Sequence, residues 1–270
     1  MTLGEIRKLL FALLNKDQSG NSFTPESFNL EIQSKNLDLF NVEYDKLKQL
    51  AQAKGNPIYN EFANSSSLRI LKRQVTKALN PVGVLLKSDL ADFGYMLTGT
   101  VGGGVTKPAS VFKRIDFVDN AEGNKRRVNA FEKPIDQFPI GIEFYNKYNL
   151  YPNDITKVNI DYIKIPSTPY YDYCIRDDND REEYMPVGSY ILHDDHKLYD
   201  KDNNVLLSGQ TVTYLGNNNI PKTFSLSVEF EWESFMHIKL ISMILTDMGV
   251  TIRDAEILKY GMAEEQKQQV

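Results

Sequence analysis

Along Leu3 to Asn15 the apolar residues Ile6, Leu9, Leu10, Leu13 and Leu14 recur at intervals of three and four, which places them on one face and predicts an amphipathic helix. Lys16 to Ser22 is a polar turn containing Gly20. Thr24, Pro25 and Glu26 then supply an N-cap, a proline at the first helical position and a carboxylate at the positive end of the dipole, so a second helix starts there. It carries Phe28, Leu30, Ile32, Leu37, Leu39, Phe40, Leu47 and Leu50 and ends by Gly55 and Pro57. The two are expected to form a helical hairpin. A third helix is expected over Ser65 to Leu79, where Leu68, Leu71, Val75 and Leu79 oppose Arg69, Lys72, Arg73 and Lys77. Asn80-Pro81 stops it.

Beyond this point the period changes to two. Val111, Ile115 and Phe117 open a strand-rich stretch interrupted by turn residues at Asn120 to Asn124. Val158 to Ile163 and Leu226 to Trp232 alternate as half-buried strands do. Tyr170 to Ile175, Ser189 to Leu192, Val205 to Leu207 and Thr211 to Tyr214 are shorter strand candidates between Asp, Asn, Gly and Pro clusters. Phe235, Ile238, Leu240, Ile241, Ile244 and Leu245 are too dense for a one-sided surface helix and predict a buried one, stopped at Gly249. Thr251 caps a last helix through Ile252, Ala255, Ile257, Leu258 and Tyr260, followed by the polar tail Ala263 to Val270. The fold class expected is α+β. Residues 1–98 form an N-terminal helical region, 99–231 a mostly antiparallel β region with long loops, and 232–270 a C-terminal helix pair that joins the N-terminal helices in a helical bundle.

With 270 residues the chain buries a sizeable core without staples, and its one cysteine, Cys174, makes no intramolecular bridge. A disulfide scaffold is excluded, and assembly in a reducing cytoplasm fits. Arg7 and Lys8 interrupt the first apolar stretch, so it does not read as a signal peptide. The richest apolar window, Phe235 to Val250, is broken by His237, Lys239 and Asp247, short of the roughly 20 apolar residues a membrane span needs. The net charge of −5 argues against a dedicated nucleic-acid binder.

The chemistry the sequence offers is thin. Asn15, Asp17, Ser19, Gly20 and Asn21, followed by Glu26, place oxygens at alternate positions, a glycine at the sixth and an acid at the twelfth, as a calcium loop requires. Asn instead of Asp at the first position and Ser22 at the eighth favour a plain connecting turn. Asp200, Asp202 and Asn204 alternate similarly, but Val205 stands where glycine is needed and Thr211 where the last acid is needed, so a hairpin turn is expected. His193, Asp194, Asp195 and His196 are adjacent, so in an extended segment they point to opposite faces. Gly99 to Lys107 lacks the Gly-Lys-Ser/Thr order of a phosphate loop and reads as a flexible or closely approached glycine loop available to a neighbouring subunit. Asp177, Asp178, Asp180, Glu182 and Glu183 read as a solvated acidic loop, and Lys125, Arg126 and Arg127 as a surface turn. His237 sits among apolar residues as a core or interface histidine. No catalytic, cofactor or metal residue is assigned.

Three stretches carry a family resemblance. They are Asn15 to Gly20 with Phe23 to Leu30 and Leu37 to Phe40; Phe138 to Gly141 with the aromatic strands after it; and Phe235 to Gly261. Together they resemble the ring proteins of the head–tail connector in crAss-like and related Bacteroidetes-infecting phages. The resemblance implies a non-enzymatic virion protein, made in the cytoplasm of the bacterial host and placed at the head–tail junction. It implies a homo-oligomeric ring, dodecameric, in contact with the portal and with other connector or tail proteins. DNA passes through the lumen without specific binding, and no membrane or cofactor is involved. Amphipathic termini that order on assembly, Leu3 to Leu14 and Ile252 to Val270, suit such a subunit.

Two other readings compete. The tyrosines between Tyr145 and Tyr173 would suit a tail-associated receptor- or carbohydrate-binding module that stacks sugars on aromatic faces. A calcium-regulated enzyme rests only on the Asn15 to Glu26 loop and the Asp-rich turns.

Overall fold

A computed structural model of the chain describes residues 1–16, 23–55, 58–63, 65–101, 113–135, 137–192, 194–207, 210–213 and 222–248. In chain order the elements are helices α1 (Leu3–Lys16), α2 (Pro25–Lys54) and α3 (Ile58–Phe62), then strands β1 (Lys72–Ala78), β2 (Val84–Leu86), β3 (Phe93–Val101) and β4 (Lys113–Val118). Helix α4 (Asn120–Val128) precedes β5 (Ile140–Glu143), β6 (Lys147–Tyr151), β7 (Lys157–Lys164), β8 (Tyr173–Arg176) and β9 (Glu182–Tyr184). The order closes with β10 (Tyr190–Leu192), β11 (Lys197–Tyr199), β12 (Val212–Thr213), β13 (Lys222–Phe224) and helix α5 (Ser234–Asp247). The chain divides into two compact units, Glu43–Ile165 and Met1–Val42 with the chain from Pro166 onward.

The body of the Glu43–Ile165 unit is a seven-stranded sheet in the order β1-β7-β3-β4-β5-β6-β2, curled into a half-barrel. It is mixed, because β4 and β5 run parallel while its other neighbours are antiparallel. Alternate residues point to one face, so Val158, Ile160 and Tyr162 of β7 meet Ile115, Tyr148 and Leu150 from the other strands in one core. Phe117 packs edge-on to Tyr148 at 5.2 Å between ring centroids. Its ring lies over two glycines: a Cβ on Gly141 would stand 2.6 Å from it, and one on Gly99 would stand 3.0 Å from it and 2.9 Å from Ile160. Gly99, which the sequence reading places at the start of a flexible or closely approached glycine loop, is closely approached, but as a packing residue inside β3 and not in a loop. Thr100 and Val101 also belong to β3, and residues 102–107 of that loop lie outside the described residues.

In the other unit α1 packs on α5. Leu3, Ile6 and Leu10 of α1 and Leu240, Ile241, Ile244 and Leu245 of α5 are buried, each contributing about 1.5–3 kcal/mol. Polar side chains of α2 tie it to the chain after Pro166. The Asn29 amide both donates to Tyr171 O (2.9 Å) and accepts from Tyr171 N (2.7 Å), as a neighbouring strand would. Asn36 donates to Ser167 O and accepts from the indole N–H of Trp232 at 2.7 Å. Two three-stranded sheets, β11-β10-β13 and β12-β8-β9, complete this unit. Cys174, Met185, Ile191, Leu198 and Val212 form its second core.

The expected helical bundle with a central antiparallel region is therefore overturned: the protein is built on a curled, mixed seven-stranded sheet with two small sheets, and five α-helices among the described residues. Ser65 to Leu79 is not a helix. Arg69–Leu71 is one 3₁₀ turn and Lys72–Ala78 pairs residue by residue with β7, from Lys72 opposite Ile163 to Ala78 opposite Lys157. The error has a physical source. Leu71, Val75 and Leu79 are spaced by four, which is also a multiple of two, so the same residues share one face of a strand. Conversely, Asn120 to Asn124 is helical. Asp119 caps α4 by accepting Glu122 N at 2.8 Å, and Glu122 pairs with Arg126 at i,i+4. Leu226 to Trp232 alternates but forms no ladder. Among the described residues its one bridge joins Val228 to Tyr170, and Leu226 N donates to the Asp172 carboxylate instead.

Candidate interaction surfaces

The structure uses most sequence-derived candidate residues in local architecture. Asp200 accepts the Asn204 side-chain amide at 2.9 Å and the backbone N–H groups of Asn204 and Asp202, both at 2.8 Å, and these bonds, the Asn204 amide foremost, hold its carboxyl below the usual range. It is a turn residue between β11 and the Val205 bridge. Asp195 accepts Lys197 N and the Tyr199 hydroxyl, and the adjacent His196 adopts positive φ in the same turn; His193 lies outside the described residues. Asp178 takes both guanidinium nitrogens of Arg176, Glu182 pairs with Arg7, and Asp177 accepts the Thr213 hydroxyl. The acidic loop is thus tied to cations and hydroxyls. Among the described residues no group of three or more His, Cys, Asp or Glu converges as metal ligands do. Asp17 to Ser22 of the Asn15 to Glu26 loop lies outside the described residues; Glu26 accepts the Tyr173 hydroxyl at 3.0 Å.

Lys125, Arg126 and Arg127 occupy the last turn of α4, where the dipole favours cations. Arg126 contacts Glu122 and Asp116, and Arg127 lies over the Tyr151 ring. Cys174 is fully buried, and burial pushes its thiol up to about 12, which removes thiolate chemistry at neutral pH. Of the tyrosines between Tyr145 and Tyr173, Tyr148, Tyr162 and Tyr171 are buried and Tyr145 is fully exposed. Tyr44 stacks on Tyr95, and burial raises both hydroxyls, Tyr44 to about 12. Neither is a base at neutral pH.

Two surfaces of the Glu43–Ile165 unit stand out instead. The first follows α4. Val128, Phe131, Ile135 and Phe138 are exposed within eleven residues, Phe131 at 99% and Phe138 at 71%. This segment is held by its own turns. Asn129 N bonds Lys125 O, the Asn129 side chain accepts Phe131 N at 3.0 Å, and Phe138 N bonds Ile135 O at 2.9 Å. Large apolar side chains are thereby presented to solvent beside hydrogen-bonded turns.

The second surface is β1, which ends the sheet. Lys72, Arg73, Gln74, Thr76 and Ala78 are exposed, and Val75 and Lys77 are half-buried. A depression of about 280 Å³ opens at its first residue, bordered by Phe62, Ala63, Arg69, Lys72, Leu97, Thr98 and Asp161. Lys72 pairs with Asp161 of β7 at 2.7 Å. Arg73 donates only to the Ile70 and Lys72 carbonyls, and Arg69 and Lys77 meet no carboxylate among the described residues. The sequence reading saw these four cations as the wet face of a helix. Their edge position depends on pairing with β7, although the β-branched pair Val75-Thr76 was a local signal for a strand. The Val128 to Phe138 segment was missed because four scattered apolar residues fit no period; Pro134 and Pro139 beside them marked an irregular segment.

No protein-family model matches the sequence, and no curated protein matches it.

Proposed function

We propose that this chain is a structural subunit of a tailed-phage virion, a ring or adaptor protein of the head–tail connector that joins portal to tail around the DNA channel. The observation that carries the reading is the exposure of Val128, Phe131, Ile135 and Phe138: large apolar side chains gathered in one stretch and facing solvent are costly in an isolated protein and are what a subunit interface covers. The resemblance in Phe235 to Gly261 and in the N-terminal stretches supplies the place of assembly. The candidate groups tied into turns, caps and ion pairs support a scaffold role over a catalytic one. Electron microscopy of purified virions tests the proposal. A symmetric ring at the head–tail junction built from this chain is the expected result, with the Phe131 side chain buried between subunits. Density for the chain on fibres, or glycan binding by the isolated protein, would replace this reading with the receptor-binding module.

A further inference from the structure

We infer that β1 is a docking edge for an extended acidic segment of another protein, which adds to the half-barrel sheet as an eighth strand. An edge strand offers the backbone N–H and C=O groups of alternate residues to a newcomer. β1 is seven residues long and, among the described residues, has a strand neighbour only in β7. The side chains select the occupant. Arg73, Val75 and Lys77 share one face and Lys72, Gln74 and Thr76 the other, with no acidic residue on the strand. An incoming strand therefore meets a cation on either face and an apolar side chain at Val75.

The inner neighbour shows how such a pairing works, since Asp161 of β7 reaches Lys72 across the ladder while Thr76 donates to Asn159 of the same strand at 2.7 Å. The depression beside Lys72 adds a second element. Phe62, Leu97, Arg69 and Lys72 line it together with Asp161, whose carboxylate pairs with Lys72, so Arg69 is the cation that would receive a side chain with an apolar stem and a carboxylate tip. Charge also disfavours a second copy of β1 in the centred register. Antiparallel self-pairing centred on Val75 would set Arg73 against Lys77 of the copy, and like charges directly opposite are repulsive. The same side chains that keep identical edges apart attract an acidic one.

The test uses the purified full chain and fluorescein-labelled peptides alternating Glu with Val and Thr, with Lys replacing Glu in the control. Fluorescence anisotropy is expected to show binding of the acidic peptide alone, and hydrogen exchange to slow at Arg73 to Ala78. R73E/K77E is expected to weaken the acidic peptide by about tenfold or more and to gain affinity for the Lys peptide. R73Q/K77Q, which removes charge without reversing it, is expected to fall between. Equal binding of both peptides, protection away from β1, or affinity unchanged in both variants would overturn the inference. So would binding of a short duplex DNA, but not the acidic peptide, with the same dependence on Arg73 and Lys77. The inference stands apart from the connector reading, because peptide binding by the isolated chain is independent of whether virions carry it.

Discussion

Lowering the pH from 7 to 5 is expected to weaken the unit that holds α5, and His237 is the reason. Its ring is buried at 6% exposure beside Phe230, with Nε2 at 3.1 Å from the Trp232 carbonyl. A carbonyl only accepts, so Nε2 carries the proton and Nδ1, which meets no partner among the described residues, is bare. Burial, followed by the charge of the chain's amino terminus, pushes the imidazole down from 6.5 to about 4, against smaller opposing effects of the Trp232 carbonyl and Glu5. The unfolded chain takes up its proton near the ordinary value while the folded one resists. Stability is thus present in full above that value, falls as pH descends through the window, and is lost by about pH 4. Linkage makes the loss about 2 kcal/mol at pH 5 and about 3 kcal/mol at pH 4.

The assay is urea unfolding followed by the fluorescence of Trp232, the protein's single tryptophan and itself buried. Carboxylates titrate over part of the same range, so the informative quantity is the difference between the wild type and His237→Leu. The variant is less stable at pH 7, having lost a hydrogen bond, but should lose about 2 kcal/mol less than the wild type between pH 7 and 5. Parallel pH dependence in the two proteins would refute the argument, for it would mean that His237 titrates alike folded and unfolded.

Two further perturbations probe the packing. Asn36→Leu leaves the Trp232 indole N–H and the Ser167 carbonyl unpaired in a buried setting and should cost about 2–4 kcal/mol with a red-shifted tryptophan emission; unchanged emission and stability would show that water replaces the amide. Gly141→Ala forces a methyl to within 2.6 Å of the Phe117 ring and should cost about 1–3 kcal/mol by thermal unfolding. Phe117→Leu in the same chain should recover part of that loss, and additive effects would place the strain elsewhere.

The sequence by itself determined the elements whose signals are local. The three-and-four spacing in Leu3 to Leu14, the cap and proline at Thr24 and Pro25, the dense run Phe235 to Leu245 and the alternation in Val158 to Ile163 became α1, α2, α5 and β7, because caps and one-sided burial act over a few residues. Tertiary structure decided what depends on a distant partner. Residues 72–78 became strand because β7, more than 80 positions on, supplies a ladder of matching register. Leu226 to Trp232, with better alternation, gained one bridge because Asp172 and Tyr170 take its backbone groups. A face with spacing of four satisfies helix and strand alike, so local pattern had no means of choosing between them. The candidate sites divide in the same way. Arg69, Lys72, Arg73 and Lys77 were visible as a cluster of charge, but that the last three lie on a strand that ends the sheet among the described residues, with Arg69 in the turn before it, is a property of the strand order. That Phe131 and Phe138 face solvent while equally apolar Phe117 fills the core is decided by three-dimensional packing, to which one-dimensional hydrophobicity is blind.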